Sequence, residues 1–407
     1  MENNWRKNVA VFIGCQAISL FGSSLVQYAM TWHIYLTTQS GMYATVAILC
    51  GFLPTLLLSP FAGVWADRYN RKLLIIAADG FIALVTLGLA LIFMSGYRAI
   101  WLLFVVMALR ALGTAVQMPC IGAMLPDLVP VEQLTRINGI NSSIQSLIFI
   151  GSPMLAGLLM GLFPLEIIFF IDVLTAIAAI LLLLFFLKLA YQPKQKLAGS
   201  HYFGELQAGI TYILRTPYLR NFFIFCVAIY LLAAPPAFLT PLQVVRTFGA
   251  EEWRLAATEM AFAIGMTIGG IAIATSGGLK NRVHTMGAAF GLMGVLAILL
   301  GLPGRFELYL ATMAGFGLML PFFNTASMVL LQEKVEPQYL GRVFSVMTMI
   351  SSSIMPLGML LFGPLADEVP IEWLLICAGC GFIITACLLL RNKPLLEAGK
   401  PAPPMGK

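Results

Sequence analysis

Long apolar runs, separated by short clusters of charge, turn residues and proline, recur twelve times along the chain. They cover residues 8–36, 43–65, 72–95, 99–124, 139–162, 165–189, 220–244, 255–277, 283–302, 307–331, 341–365 and 371–391. Each approaches or exceeds the roughly 20 residues that an α-helix needs to cross a hydrocarbon layer. The apolar positions are continuous and do not alternate, which argues against a membrane β-barrel. The expected fold class is therefore an all-α membrane protein with twelve transmembrane helices.

The longest polar break, 190–219, falls after the sixth run. It contains Pro193, several charges and an amphipathic piece at 201–215, as expected of a linker lying on the membrane surface. This divides the chain into an N-terminal six-helix bundle at 1–189, a cytoplasmic linker at 190–219, a C-terminal six-helix bundle at 220–391 and a cytoplasmic tail at 392–407. The halves read as copies. LPDLVPVEQLTRI at 125–137 aligns without a gap on LQEKVEPQYLGRV at 331–343, so that Asp127 meets Glu333 and Arg136 meets Arg342. GVWADR at 63–68 corresponds to GGLKNR at 277–282, with Asn281 in the place of Asp67. Two parallel, pseudo-symmetric six-helix repeats are a transporter architecture, with the substrate site expected near the bilayer midplane.

Composition narrows the class further. Hydrophobic residues make up 60% of the chain and charged residues only 10%, against about 25% charged in ordinary soluble domains. A soluble enzyme, a disordered chain and a secreted disulfide scaffold are thereby excluded. The net charge of +6 suggests nucleic acid only until it is mapped. Nineteen Lys and Arg fall in the termini and even-numbered loops and four in the others, with Arg110 inside a span. This excess places both termini in the cytoplasm of a multi-pass cell-membrane protein, with membrane lipids and no nucleic acid as partners. Seven cysteines lie mostly inside apolar runs, and Cys377 and Cys380 have no nearby His or acidic partner in sequence. No metal or cofactor is expected. No G-x-x-x-x-G-K-[ST] loop occurs, so ATP drive is not expected.

The loop after the second run reads Gly63-Val64-Trp65-Ala66-Asp67-Arg68-Tyr69-Asn70-Arg71-Lys72. It resembles the G-x-x-x-D-R-x-G-R-[RK] signature of the major facilitator superfamily, with Asn70 replacing the usual glycine. Gly63, Asp67, Arg68, Arg71 and Lys72 are the expected conformational latch, in which charge near helix ends holds one state. The fifth run carries Gly151-Ser152-Pro153-Met154-Leu155-Ala156-Gly157. It is similar to the antiporter motif G-P-x-x-G-G of drug exporters, with Ser152 and Ala156 for glycines; the small residues permit close helix packing. Over nearly the whole chain the sequence resembles the macrolide-efflux (Mef-type) permeases, most tellingly in QEKVEPQYLGRVFSVM at 332–347. The resemblance implies a secondary active exporter of a bulky amphiphilic drug, and a monomer is expected. It further implies macrolide substrates, proton antiport and alternating access. A siderophore or other antibiotic exporter, and a solute importer or facilitator, stay open as alternatives.

Buried charge supplies the candidate coupling residues. Arg110 lies about 16 Å down the fourth span, near the midplane, where an ionisable residue is costly and functional by default. It matches the arginine that proton-coupled members of the superfamily carry in this span. Asp79 and Asp172 lie about 12 Å inside the third and sixth spans. Each is a candidate proton carrier or a fixed ion-pair partner of Arg110. Glu259 is a candidate to take protons, to meet a cationic drug, or to be a wetted rim carboxylate. Polar stripes mark helices expected to line the substrate cavity: Gln16, Ser19, Ser23 and Gln27 in the first span, and Asn138, Ser142, Gln145 and Ser152 in the fifth. Tyr230, Phe322 and Asn324 are added from the second half. Interhelical hydrogen bonding is the alternative use of such stripes.

Overall fold

The computed structural model describes residues 5–187, 202–302 and 304–400, and of these all side chains but those of Pro60, Asp67, Val131, Thr135 and residues 202–206. Fifteen α-helices follow one another, with no strand among the described residues. They are α1 (Trp5–Thr38), α2 (Gly41–Arg68), α3 (Arg71–Met94), α4 (Ile100–Leu128), α5 (Leu134–Leu162), α6 (Leu165–Phe186), α7 (Tyr202–Arg215), α8 (Pro217–Phe238), α9 (Thr240–Thr247), α10 (Glu252–Ser276), α11 (Arg282–Leu300), α12 (Phe306–Lys334), α13 (Pro337–Glu368), α14 (Ile371–Arg391) and α15 (Lys393–Ala398). Twelve segments among the described residues are long and apolar enough to cross a membrane, with α8 and α9 together forming the seventh.

Helix is the form that lets each backbone N–H find a carbonyl within its own segment, which hydrocarbon demands. The ends are set locally. Asn70, Asn281 and Asn392 cap α3, α11 and α15 by accepting from Leu73 N, Val283 N and Leu395 N at 3.4, 2.9 and 3.2 Å. The seventh span breaks at Leu239, between Pro235-Pro236 and Pro241, where prolines remove backbone donors. The outer surface is apolar: Leu57 is 70% exposed and Phe185 69%. Such a surface suits lipid, not water.

The chain divides into two compact units. One holds α1, α2 from Tyr43 onward, α3–α6 and the short stretch Glu251–Ala256. In it, α1 packs on α5 and α6, and α3 on α4 and α6. The other holds Gln39–Met42, α7–α9, α10 from Ala257 onward, and α11–α15. There α11 packs on α12 and α14, and α8 on α13 and α14. Its core is aromatic: Phe290 lies 4.5 Å from Phe323 and 6.1 Å from Phe382, centroid to centroid. The close approach of α11 and α14 depends on two glycines. A Cβ on Gly294 would sit 2.7 Å from Gly379 O, and one on Gly379 would sit 2.6 Å from Gly294 O. Without a hydrophobic drive between helices in lipid, such intimate contact supplies packing energy.

Candidate functional site

Two polar layers cross the interior of the first unit. Their spacing comes from helix periodicity: Asp79 and Thr86 are seven residues apart on α3, and Arg110 and Gln117 seven apart on α4. Seven residues are about two turns, so each pair shares a face and the layers lie about 10 Å apart along those helices.

In one layer the Arg110 guanidinium pairs with the Asp172 carboxylate of α6, and both side chains are almost wholly buried, at 5% and 1% exposure. Arg110 also donates to Thr86 Oγ1 and, at 3.1 Å, to Ser23 O. Asp172 further accepts from Ser23 Oγ at 2.8 Å and Thr86 Oγ1 at 3.0 Å. Four helices are thereby tied at one buried charge pair. A buried pair survives only when its remaining donors and acceptors are satisfied this way. Arg110 Nε alone stays without a partner.

The other layer is built differently. Asp79 is 2% exposed and meets only neutral donors. Ser19 Oγ and Gln117 Nε2 both donate to its Oδ1, at 2.7 and 2.6 Å. Its Oδ2 is buried with no partner, as is Nε2 of Gln16 on the same helix as Ser19. A buried carboxylate oxygen without a donor is costly. Taking up a proton or a water relieves that cost.

Of the carboxylates that the chain offers Arg110, namely Asp67, Asp79 and Asp172, it is Asp172 that pairs with it. The stripe on α1 is largely absorbed by the bundle interior: Ser19 bonds to Asp79 and Ser23 to Asp172, Gln16 is buried, and only Gln27 of the four is half-buried without being drawn into these layers. Asn138, Ser142 and Gln145, by contrast, are all exposed along α5. The motif residues Ser152, Pro153, Ala156 and Gly157 form the buried face of α5. A Cβ on Gly157 would come within 2.5 Å of Ala256 Cβ and 3.3 Å of Trp32, so a side chain has no room there. In the second unit, Tyr230 meets Phe323 edge-on at 6.5 Å, Phe322 is half-buried and Asn324 exposed. Glu259 is half-buried on α10.

At the junction of α2 and α3, Arg71 donates from Nε to Ala66 O and from Nη1 to Ala123 O, both at 2.8 Å, and pairs with Asp127. Lys72 donates to Leu187 O at 2.8 Å. These cations satisfy carbonyls at the ends of α2 and α4 and beyond α6, the groups a helix terminus leaves unpaired. Gly63 is half-buried and Arg68 exposed, while the side chain of Asp67 lies outside the described residues. Replacing Arg71 with glutamine is expected to cost about 1–3 kcal/mol, since three bonds from one charged group are lost. A lowered unfolding midpoint in detergent would register it; an unchanged midpoint would show that the bonds add no net stability.

The second unit corrects the alignment of the repeats. Asn281 caps α11 and Arg282 opens it, as Asn70 caps α3 and Arg71 opens that helix. Arg282 pairs with Glu333 at 3.2 Å, the counterpart of Arg71 with Asp127. Asn281 is therefore the equivalent of Asn70 and not a substitute for Asp67. Helix α10 ends at Ser276, before the positive-φ Gly277 and Gly278, and this turn shifts the register.

One constellation is not foreseen from the sequence. Asp367 accepts from Gly41 N at 2.7 Å, Met42 N at 2.9 Å and Ser40 Oγ at 2.7 Å, capping the first turn of α2. Arg246 donates to Asp367 at 2.7 Å, to Gln39 O at 2.6 Å and to Ala366 O at 2.6 Å. A negative charge at a helix N-terminus is favourable. The signal was available in the spacing: Gly363-Pro364-Leu365-Ala366-Asp367 repeats the G-x-x-A-D of Gly63–Asp67.

Comparison with known proteins agrees with this architecture. A family model described as Major Facilitator Superfamily matches residues 12–359. Macrolide efflux protein A of Streptococcus pyogenes is 32% identical over 377 residues, covering 92% of this chain and 93% of that protein. The multidrug efflux pump Tap of Mycobacterium bovis is 23% identical over 98% of this chain and 96% of its own. Among solved structures, a peptide transporter POT in complex with sulfate superposes with a TM-score of 0.72 at 13% identity, covering 97% of this chain and 96% of that one. A bacterial homologue of the iron transporter ferroportin gives 0.71 at 16% identity, over 94% of this chain and 98% of that one. At such identities the structural likeness speaks for the fold alone.

Proposed function

The chain belongs to the major facilitator superfamily, and on that premise we propose that it is a secondary active exporter of bulky amphiphilic drugs, macrolides foremost, driven by exchange against protons. Family and fold are those of transporters, not of enzymes. The proposal includes a cell-membrane location with both termini in the cytoplasm, as the distribution of Lys and Arg favours. It also includes alternating access, with Gly63, Asp67, Arg68, Arg71 and Lys72 as a latch on one state.

The observation that carries the coupling is the contrast between the two buried layers. Asp172 is held by a guanidinium and two hydroxyls, so it serves as a fixed counter-ion. Asp79 has neutral neighbours and a vacant oxygen, so gaining or losing one proton leaves its hydrogen-bonded Oδ1 in place. Asp79 is the proton carrier in this reading, Asp172 the group that positions Arg110. The likeness to macrolide efflux protein A supports the substrate class, and the amides and hydroxyl of Asn138, Ser142 and Gln145 suit a large, sparsely polar molecule.

The test is expression in a bacterial host stripped of its own pumps, followed by a susceptibility panel. Raised resistance to macrolides, abolished by a protonophore, is the expected result. Unchanged macrolide susceptibility overturns the substrate class, and resistance insensitive to the proton gradient overturns the coupling. Glu259 refines the substrate further. Macrolides carry an amine, and Glu259→Gln is expected to weaken export of cationic macrolides while sparing a neutral analogue. Equal loss for both would mark Glu259 as a second proton carrier, and no change would leave it a rim carboxylate.

A further inference from the structure

A crevice of about 440 Å³ opens in the first unit, between the N-terminal ends of α1 and α5. Its wall is aliphatic, from residues that include Ile13, Ile137 and Ile140, with the Trp5 ring beside them. Its charges are two guanidiniums, Arg6 and Arg136, both exposed. Arg6 lies over the Trp5 ring, 5.6 Å from its centroid. Neither arginine belongs to the two buried layers or to the latch.

We infer that this crevice binds an anionic phospholipid, with Arg6 and Arg136 on the headgroup phosphate and an acyl chain along the isoleucine wall. The charge argument comes first. Two guanidiniums, with no acidic residue among the described residues that line the crevice, repel a cationic drug and attract a phosphodiester. The N-terminal end of α5, which begins at Leu134 after Gln133, adds partial positive charge of the same sign. Shape then favours a lipid over a free anion. Inorganic phosphate has no use for an aliphatic wall, whereas an acyl chain does. Ile140 and Leu147, two turns apart on α5, are 44% and 69% exposed, so the chain has an apolar track leading away from the crevice. Basic pockets at the ends of membrane helices are the recurring form of headgroup recognition. The repeat supplies a second observation. Arg342, aligned with Arg136 in the second half, also lines a cavity, of about 420 Å³, and that cavity likewise holds a second arginine, Arg215. The same position in each repeat thus offers paired guanidiniums beside a cavity.

Trp5 is a reporter built into the crevice. Full-length protein is reconstituted in nanodiscs of phosphatidylcholine carrying a small fraction of either brominated phosphatidylglycerol or brominated phosphatidylcholine. Quenching of Trp5 is taken as the difference between the protein and its Trp5→Phe variant. The expected result is stronger quenching by the anionic lipid. That preference should fall about fivefold for Arg6→Gln or Arg136→Gln and roughly twenty-five-fold for both together. The paired Arg6→Lys and Arg136→Lys variant should keep most of it, which separates loss of charge from loss of fold. Equal quenching by the two lipids overturns the inference, as does a preference that survives the double glutamine variant. Relief of quenching by inorganic phosphate would assign the site to a soluble anion and overturn it too.

Discussion

Arg110→Ala is expected to abolish proton-driven drug accumulation in everted vesicles while the protein still reaches the membrane. The arginine sits at a point where four helices meet: its guanidinium joins Asp172 of α6, Thr86 of α3 and the Ser23 carbonyl of α1. Its loss leaves the Asp172 carboxylate buried without its cation, and breaking a buried pair on one side typically costs about 3–5 kcal/mol. Two companion variants separate stability from transport. Arg110→Ala with Asp172→Asn removes both charges and should restore folded yield without restoring export. Arg110→Lys keeps the charge but loses the planar fork that reaches Asp172 and Ser23 together, so it should rescue only in part. Wild-type export from the alanine variant would remove Arg110 from the coupling machinery. Full export from the double variant would reduce the pair to a structural tie.

Asp79→Asn is expected to uncouple the protein without unfolding it. Asparagine keeps the shape and an oxygen that can still accept from Ser19 and Gln117, whose hydrogen bonds of 2.7 and 2.6 Å both go to Oδ1. The new amide group takes the position of Oδ2, the atom that has no partner. What the variant lacks is a group that gains and loses a proton. Drug accumulation driven by a pH gradient should therefore vanish. Exchange of labelled for unlabelled drug, which needs no net proton movement, should persist. Both activities lost would mean that Asp79 holds the fold or the drug; neither lost would move proton carriage elsewhere. Asp172→Asn is expected to differ, losing both activities because Arg110 is then left unpaired.

The polar layers show why only part of the site is legible in one dimension. Arg110, Asp79 and Asp172 stand out in sequence because a charge in an apolar run is expensive whatever surrounds it. Thr86 and Gln117 do not stand out, and Ser19 does so only as one member of a polar stripe, since hydroxyls and amides are tolerated in membrane helices by bonding to their own backbone or to a neighbour. Their roles depend on which helix faces which. The seven-residue spacing of Asp79–Thr86 and Arg110–Gln117 was present in sequence, but only the packing of α3 against α4 makes these faces meet. The same limit explains why the α1 stripe could be assigned either to a cavity or to interhelical bonds. A stripe records that a face is polar, and its periodicity says nothing of what that face touches.

The sequence by itself determined the number of spans, the all-α class and the family, because each rests on local or additive properties. About twenty apolar residues suffice to cross hydrocarbon, and helix is forced on any such segment by its unsatisfied backbone. Tertiary structure alone decided which carboxylate Arg110 takes and which oxygen of Asp79 stays vacant. It alone set Asn281 in register with Asn70, and it joined Arg246 and Asp367 to the start of α2. These are contacts between residues 24 to 326 positions apart, such as Arg110 with Thr86 and Gly41 with Asp367. Short-range hydrogen bonds and ion pairs fix them over a few ångströms; hydropathy and spacing along a chain can flag a residue such as Asp367 but do not say which partner it meets.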